Sequence, residues 1–126
     1  MANPQSTVDT HASETLHLRR VSYRPDLDVV LASGDLDRHT APLLAAELAA
    51  GRTPVLVCDL SDVAVLDTDG LAVLLHTADT AHDEGRRFGV VADADVAMHL
   101  VRLNVSPDRP QFFSTLSDAI RELPGS

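Results

Sequence analysis

The chain has 126 residues, of which 44% are hydrophobic, so it is long enough for one domain with a buried core. Its formal net charge is -9, all ten basic residues are arginine, and only 3% of the residues are aromatic. Such a chain repels phosphate backbones and anionic lipid, which disfavours nucleic acid and membrane surfaces as direct partners and favours a basic protein surface. The lack of lysine also removes Schiff-base and Walker-type phosphate chemistry.

The polar ends of the chain and its cysteine usage predict its organisation and compartment. We expect a flexible tail over residues 1–13, one domain over 14–123 and a short tail over 124–126. The first residues lack the apolar core of a signal peptide, and no later run is long enough to span a membrane. The single cysteine, Cys58, lies in an apolar run and is predicted to be a small buried side chain. These features predict a cytoplasmic protein.

Apolar spacing along the chain predicts strands and helices that alternate after a first hairpin. Short apolar runs between turn-forming residues indicate strands, and apolar residues spaced three and four apart indicate helices. This order is typical of a mostly parallel sheet with helical crossovers. The predicted strands cover residues 16–23, 28–33, 54–60, 87–92 and 111–114, and the predicted helices cover 40–51, 68–84, 95–103 and 115–123.

Three boundaries between these elements follow from local signals. Gly34 is expected to end the second strand. Thr40 is expected to cap the first helix, which carries Pro42 in its first turn. Residues 61–67 are expected to connect the third strand to the second helix.

The most distinctive segment is Asp67-Thr68-Asp69-Gly70, which opens an apolar helix. Asp67 or Thr68 can accept hydrogen bonds from the free N–H groups of the first helical turn, where negative charge is favoured by about 0.3–1 kcal/mol. One interpretation is a helix cap and nothing more. The other is that Thr68 accepts a phosphate, whose charge of about -1.5 to -2 beside two carboxylates would change the local geometry or repel an acidic partner surface.

The same segment resembles the first motif of haloacid-dehalogenase-type phosphatases, in which an apolar strand ends in Asp-x-Asp-Gly. That resemblance implies Asp67 as the nucleophile and Asp69 as the acid/base, with Mg²⁺ between them. However, Leu71 stands where that motif has a hydroxyl residue, and no lysine is present to stabilise the phosphoryl group. A Mg-dependent phosphatase is therefore the weaker alternative.

Several segments in order resemble the STAS domain family, specifically its single-domain bacterial anti-sigma factor antagonists. The resemblance covers residues 14–123 and implies an α/β STAS-like fold, with a small mixed, mostly parallel sheet and helices packed mainly on one face. The segments that carry it are 31–41 (LASGDLDRHTA), 56–63 (LVCDLSDV), 67–71 (DTDGL), 85–91 and 95–104.

The resemblance also implies a function. Members bind an anti-sigma factor, often a Ser/Thr protein kinase, and thereby free a sigma factor. Phosphorylation of the first hydroxyl of the turn breaks the complex, and a phosphatase restores it. Carried over by position, the phosphate acceptor is Thr68 and Asp37 lies near it. The implied partner-binding residues are Asp35, Asp37, Arg38, His39, Thr40, Asp67, Thr68, Asp69 and Gly70.

Two positions depart from the family pattern. Thr68 stands where serine is more usual, and Asp69 replaces a second hydroxyl residue, so a permanent charge lies beside the acceptor. A STAS scaffold or sensor module that is not phosphorylated therefore stays open as a second function. We expect no enzymatic activity, no cofactor and no metal, because the six histidines show no ligand spacing. We expect a monomer or a weak dimer.

Overall fold

The computed structural model describes residues 9–12, 15–51, 53–93, 95–96, 98 and 111–123. Within these ranges the strands form a six-stranded sheet in the order β1-β2-β3-β4-β5-β6. The β1–β2 and β2–β3 pairs are antiparallel, and the pairs from β3 to β6 are parallel, which confirms the mostly parallel sheet. The elements are β1 (Asp9–Ala12), β2 (Leu16–Arg24), β3 (Leu27–Leu36), α1 (Ala41–Ala50), β4 (Val55–Leu66), α2 (Thr68–Asp83), β5 (Arg87–Val91), β6 (Gln111–Phe113) and α3 (Leu116–Glu122).

The apolar core forms two clusters on opposite faces of the sheet. Alternate residues of β4 divide between them, because successive side chains of a strand point to opposite faces. Leu56 and Cys58 belong to the larger cluster, under α1 and α2, whereas Val55 and Val57 belong to the smaller cluster, with α3. The two longer helices therefore cover one face, as predicted, and the short α3 covers the other.

Strand β1 corrects the prediction of a flexible tail over residues 1–13 for four of those residues. Asp9–Ala12 pairs with β2 in antiparallel register. The edge of β2 offers backbone N–H and C=O groups, and a polar segment can pair with them through its own backbone. Residues 1–8, residue 13 and the predicted C-terminal tail lie outside the described residues.

Gly34 does not end β3 but lies inside it, two residues before its last residue, Leu36. Its φ is +103°, and the next residue, Asp35, donates its N–H to the Thr15 carbonyl at 2.5 Å. A Cβ at Gly34 would lie 2.1 Å from that carbonyl oxygen. The glycine therefore permits an irregularity within the strand, and the strand continues past it.

Strand β4 is also longer than predicted, because residues 61–66, expected to be a connection, continue it to Leu66. These residues pair with β3, whereas the pairing with β5 ends at Asp59 opposite Val91. Among the described residues this segment is paired on one side, and its residues are exposed or half-buried, so it differs from the fully buried part of the strand that the sequence identified.

The helices otherwise follow the sequence pattern. Thr115 accepts the N–H of Asp118 at 3.1 Å and caps α3, as its spacing predicted. Of the helix predicted over residues 95–103, Asp95, Val96 and Met98 are helical and the rest lies outside the described residues. No helix in the described ranges combines the length and apolar composition needed to cross a bilayer.

Candidate functional site

Two polar segments lie side by side at the carboxyl ends of β3 and β4. The loop of residues 37–40 follows β3, and the turn of residues 67–70 follows β4. Because β3 and β4 are parallel neighbours, their carboxyl ends meet at one edge of the sheet. Leu36 is paired with Leu66, and Asp67 donates its N–H to the Leu36 carbonyl at 3.1 Å. The fold thus brings together residues that the sequence separates by about thirty positions.

Asp67 is the cap of α2 and also ties the turn to the loop. Its Oδ1 accepts the backbone N–H groups of Asp69 at 2.9 Å and Gly70 at 3.1 Å. Its Oδ2 accepts the backbone N–H of Arg38 at 3.2 Å. The sequence left open whether Asp67 or Thr68 caps the helix, and the structure assigns this role to Asp67.

Because Asp67 provides the cap, Thr68 is left with an available hydroxyl. Thr68 is the first residue of α2 and is exposed, as is Asp69 after it. Among the described residues, none forms a hydrogen bond with the Thr68 hydroxyl. The oxygen that the sequence singled out is therefore accessible to a modifying enzyme or to a partner surface.

Unlike Thr68, Thr40 is buried and its hydroxyl is used in hydrogen bonds within the fold. Thr40 is the N-cap residue of α1, as predicted, but it is 2% exposed and its side chain makes no capping hydrogen bond. Its hydroxyl instead donates to the Asp35 carbonyl at 2.8 Å and accepts the Asp37 N–H at 2.9 Å. Burial also removes the Thr40 side chain from the predicted partner-binding set, because a partner cannot reach it.

Asp37 organises the rest of the 37–40 loop. Its Oδ1 accepts the backbone N–H groups of His39 at 2.9 Å and Thr40 at 3.1 Å. Burial acts to raise the pKa of Asp37, but these hydrogen bonds and the Thr40 hydroxyl favour the charged form, so the pKa is lowered overall. The loop is thereby held with Arg38 and His39 exposed, while Asp35 is half-buried.

Gly70 positions the turn and is itself buried. A Cβ there would lie 2.7 Å from Leu36 Cγ and 2.9 Å from Leu66 Cδ1. The start of α2 therefore packs directly on the ends of β3 and β4. Predicted as a partner-binding residue, Gly70 has no side chain to offer, and its burial makes it part of the support of the turn.

Val65 is a surface residue that the sequence did not single out. It lies opposite Asp35 in the β3–β4 register and is 48% exposed. The apolar residues of the segment 61–66 were the available signal. That signal was lost because the segment was predicted to be a connection and not a strand.

The remaining reactive residues have structural roles. Cys58 is buried, as predicted, and burial together with the nearby Asp59 charge raises the pKa of its thiol. Both carboxylate oxygens of Asp67 accept backbone N–H groups, which leaves the phosphatase alternative without a supporting observation. Within the described ranges, no three His, Cys, Asp or Glu side chains are grouped so that they could hold a metal ion.

Comparisons with known proteins agree on one family. The family model described as "Mlab, STAS domain" matches residues 20–104. The chain is also 33% identical over 100 residues to the anti-sigma-F factor antagonist RsfB of Mycobacterium tuberculosis (strain CDC 1551 / Oshkosh). That alignment covers 77% of this chain and 81% of the relative.

Solved structures show the same similarity. An anti-sigma factor antagonist from Mycobacterium paratuberculosis has a TM-score of 0.74 and 30% identity, over 89% of this chain and 97% of that one. SpoIIAA has a TM-score of 0.68 in each of its two forms. The unphosphorylated form is 14% identical, over 86% of this chain and 99% of that one. The phosphorylated form is 13% identical, over 85% of this chain and 99% of that one. At that identity the similarity to SpoIIAA concerns the fold alone.

Proposed function

Because this chain belongs to the STAS domain family, we propose that it is an anti-sigma factor antagonist, which binds an anti-sigma factor and thereby releases a sigma factor. Two relatives at 33% and 30% identity are named as such antagonists. The observation that carries the proposal is the exposed Thr68 hydroxyl, held at the start of α2 by the Asp67 cap. We place this action in the cytoplasm, with the chain a monomer or a weak dimer, and assign it no enzymatic activity.

The proposed partner surface consists of the exposed residues around Thr68. Arg38 and His39 contribute from the 37–40 loop and Asp69 contributes from the turn. Asp37 and Asp67 act mainly by holding these residues in place through hydrogen bonds to the backbone. Such a preorganised surface supports tight binding, since little conformational entropy is lost when a partner docks.

Phosphorylation of Thr68 is the proposed switch. A kinase, which in this family is often the anti-sigma factor itself, transfers the terminal phosphoryl group of ATP to the hydroxyl, and a phosphatase removes it. The phosphate brings about -1.5 to -2 charges next to Asp67 and Asp69. At about 5 Å and an effective dielectric of about 20, each unit pair of like charges costs roughly 3 kcal/mol. This repulsion would change the geometry of the turn that the partner contacts, and together with the desolvation of the phosphate in an interface it would release the partner.

The proposal is tested by measuring binding of an anti-sigma factor from the same genome to wild-type protein, Thr68→Ala and Thr68→Glu. We expect wild type and Thr68→Ala to bind alike and Thr68→Glu to bind at least about tenfold more weakly, a loss of about 1.4 kcal/mol. Thr80→Glu is the matched control, because Thr80 is an exposed threonine of the same helix about 18 Å further along. Equal affinity of Thr68→Glu and Thr80→Glu would contradict the switch.

Asp69 favours a second candidate function, a scaffold or sensor module that is not phosphorylated. Its carboxylate lies in the first turn of α2, next to the acceptor, and gives the turn a permanent negative charge. Incubation with candidate kinases and ATP, followed by mass spectrometry, separates the two functions. Phosphate on Thr68 supports the switch, whereas retained binding without phosphate on Thr68 supports the scaffold.

A further inference from the structure

Strand β4 extends past its neighbour β5, and among the described residues no strand covers its last part on that side. The pairing of β4 with β5 ends at Asp59, whereas β4 continues to Leu66 with β3 on its other side. Within the part of the chain that the structure describes, no strand pairs with residues 61–66 on the β5 side. The β3–β4 register shifts between Asp59 and Asp62 and again between Val63 and Val65, and Ser61 donates its N–H to Asp59 Oδ1 at 2.8 Å, so the backbone groups this edge can offer to an added strand belong to residues 62–66.

A cleft of about 410 Å³ runs along the uncovered edge. Its floor is apolar and includes Leu60, Leu66 and Leu71. Its rim carries Asp93 and Asp95, both exposed. Every charged residue among those that line the cleft is acidic. The cleft therefore combines strand backbone, an apolar floor and negative charge.

These three features together fit an extended peptide. In a strand, successive side chains point in opposite directions, so one set can reach the apolar floor while the other reaches the acidic rim. A small apolar molecule would fill the floor but leave the backbone of the edge unpaired, and a helix cannot continue the ladder at all. We propose that residues 62–66 of β4 are a docking edge for an extended protein segment in which apolar and basic residues alternate.

The docking edge adjoins the proposed switch. Leu66 and Leu71, which line the cleft, stand on either side of the 67–70 turn. A segment bound along the edge therefore contacts the supports of the turn that carries Thr68. That the bound segment belongs to the anti-sigma factor rests on the proposed function, whereas the ability of the edge to bind a peptide does not.

The test uses the full chain, labelled with ¹⁵N, and a synthetic blocked heptapeptide of alternating arginine and valine. We expect saturable changes in the amide signals of residues 62–66 and of Asp93. Two further peptides carry N-methyl groups on the odd or on the even residues. One of them should bind at least about tenfold more weakly, because it loses several backbone hydrogen bonds, and the other should bind like the parent.

Two controls separate strand pairing from general attraction between charges. A peptide of the same composition, with its arginines and valines in separate blocks, should bind at least about tenfold more weakly than the alternating peptide. Asp95→Asn should weaken binding of the alternating peptide by about two- to fivefold, whereas Asp83→Asn, at the exposed end of α2, should leave it unchanged.

The proposal is overturned if both N-methylated peptides bind like the parent, if the block peptide binds equally well, or if the signal changes lie away from residues 62–66. None of these measurements involves a kinase, ATP or an anti-sigma factor. Their failure therefore leaves the proposed function standing, and failure of the Thr68 experiment leaves the docking edge standing.

Discussion

The 37–40 loop and the 67–70 turn contain the same residue types and use them differently. Each has an aspartate whose carboxylate accepts backbone N–H groups, Asp37 in the loop and Asp67 in the turn. In the loop the threonine hydroxyl is buried and hydrogen-bonded, whereas in the turn it is exposed and available. The comparison teaches that a threonine near an aspartate that accepts backbone N–H groups becomes either a structural element or a modifiable group, according to whether the surrounding backbone uses its oxygen.

The strongest test of this difference is the paired substitution Thr40→Val and Thr68→Val, which removes each hydroxyl at nearly constant volume. Thr40→Val leaves the Asp35 carbonyl and the Asp37 N–H without their partner, so we expect the free energy of unfolding to fall by about 2–4 kcal/mol. Thr68→Val should change it by less than about 0.5 kcal/mol. Urea denaturation at pH 7 measures both values.

Thr40→Ser is the control for Thr40→Val, because it keeps the hydroxyl and removes only the methyl group. It should recover most of the stability that Thr40→Val loses. Equal unfolding free energies for Thr40→Val and Thr68→Val would show that the buried hydroxyl is no more important to the fold than the exposed one.

The second test compares the two aspartates that flank Thr68. Asp67→Ala removes the cap of α2 and the link to the Arg38 N–H, and we expect a loss of about 1–2 kcal/mol in unfolding free energy. Asp69→Ala removes only a favourable charge in the first helical turn, and we expect a loss below about 0.5 kcal/mol. Thermal and urea unfolding measure the difference. Similar losses would mean that the turn is not held by Asp67.

Much of the fold was predictable because burial leaves a pattern in the sequence. The central part of β4 reads as a continuous apolar run, and α2 shows the spacing of one buried helical face, so both elements were found. The strand at residues 61–66 was missed because its short apolar stretch follows two polar residues and was interpreted as a connection, and β1 was missed because its four residues carry no apolar pattern.

The candidate site was predictable in its residue types but not in their roles. The segment around Thr68 was identified from its composition at a helix start. The sequence left open whether Asp67 or Thr68 caps α2 and did not show that Thr40 is buried, because the link from Asp67 to the loop and the burial of Thr40 exist only in the folded chain. The Arg38 N–H reaches Asp67 only after β3 and β4 pair, and the Thr40 hydroxyl meets the Asp35 carbonyl only in the folded loop.

The smallest expected effect concerns the charge of Asp37. Its pKa is lowered from 3.8 in the folded state, so its ionised form stabilises the fold at pH values above 3.8, and this contribution is lost as the pH falls through the lower, folded-state value. Asp37→Asn keeps an oxygen that can accept the His39 and Thr40 N–H groups but removes the charge. Wild type should therefore be the more stable protein at pH 7, and the stabilities of the two proteins should converge only as the pH falls below 3.8 and through the lower, folded-state pKa. Urea denaturation of both proteins between pH 7 and pH 3 measures this convergence. If the difference between their unfolding free energies stays constant over that range, the loop depends on the Asp37 oxygen but not on its charge.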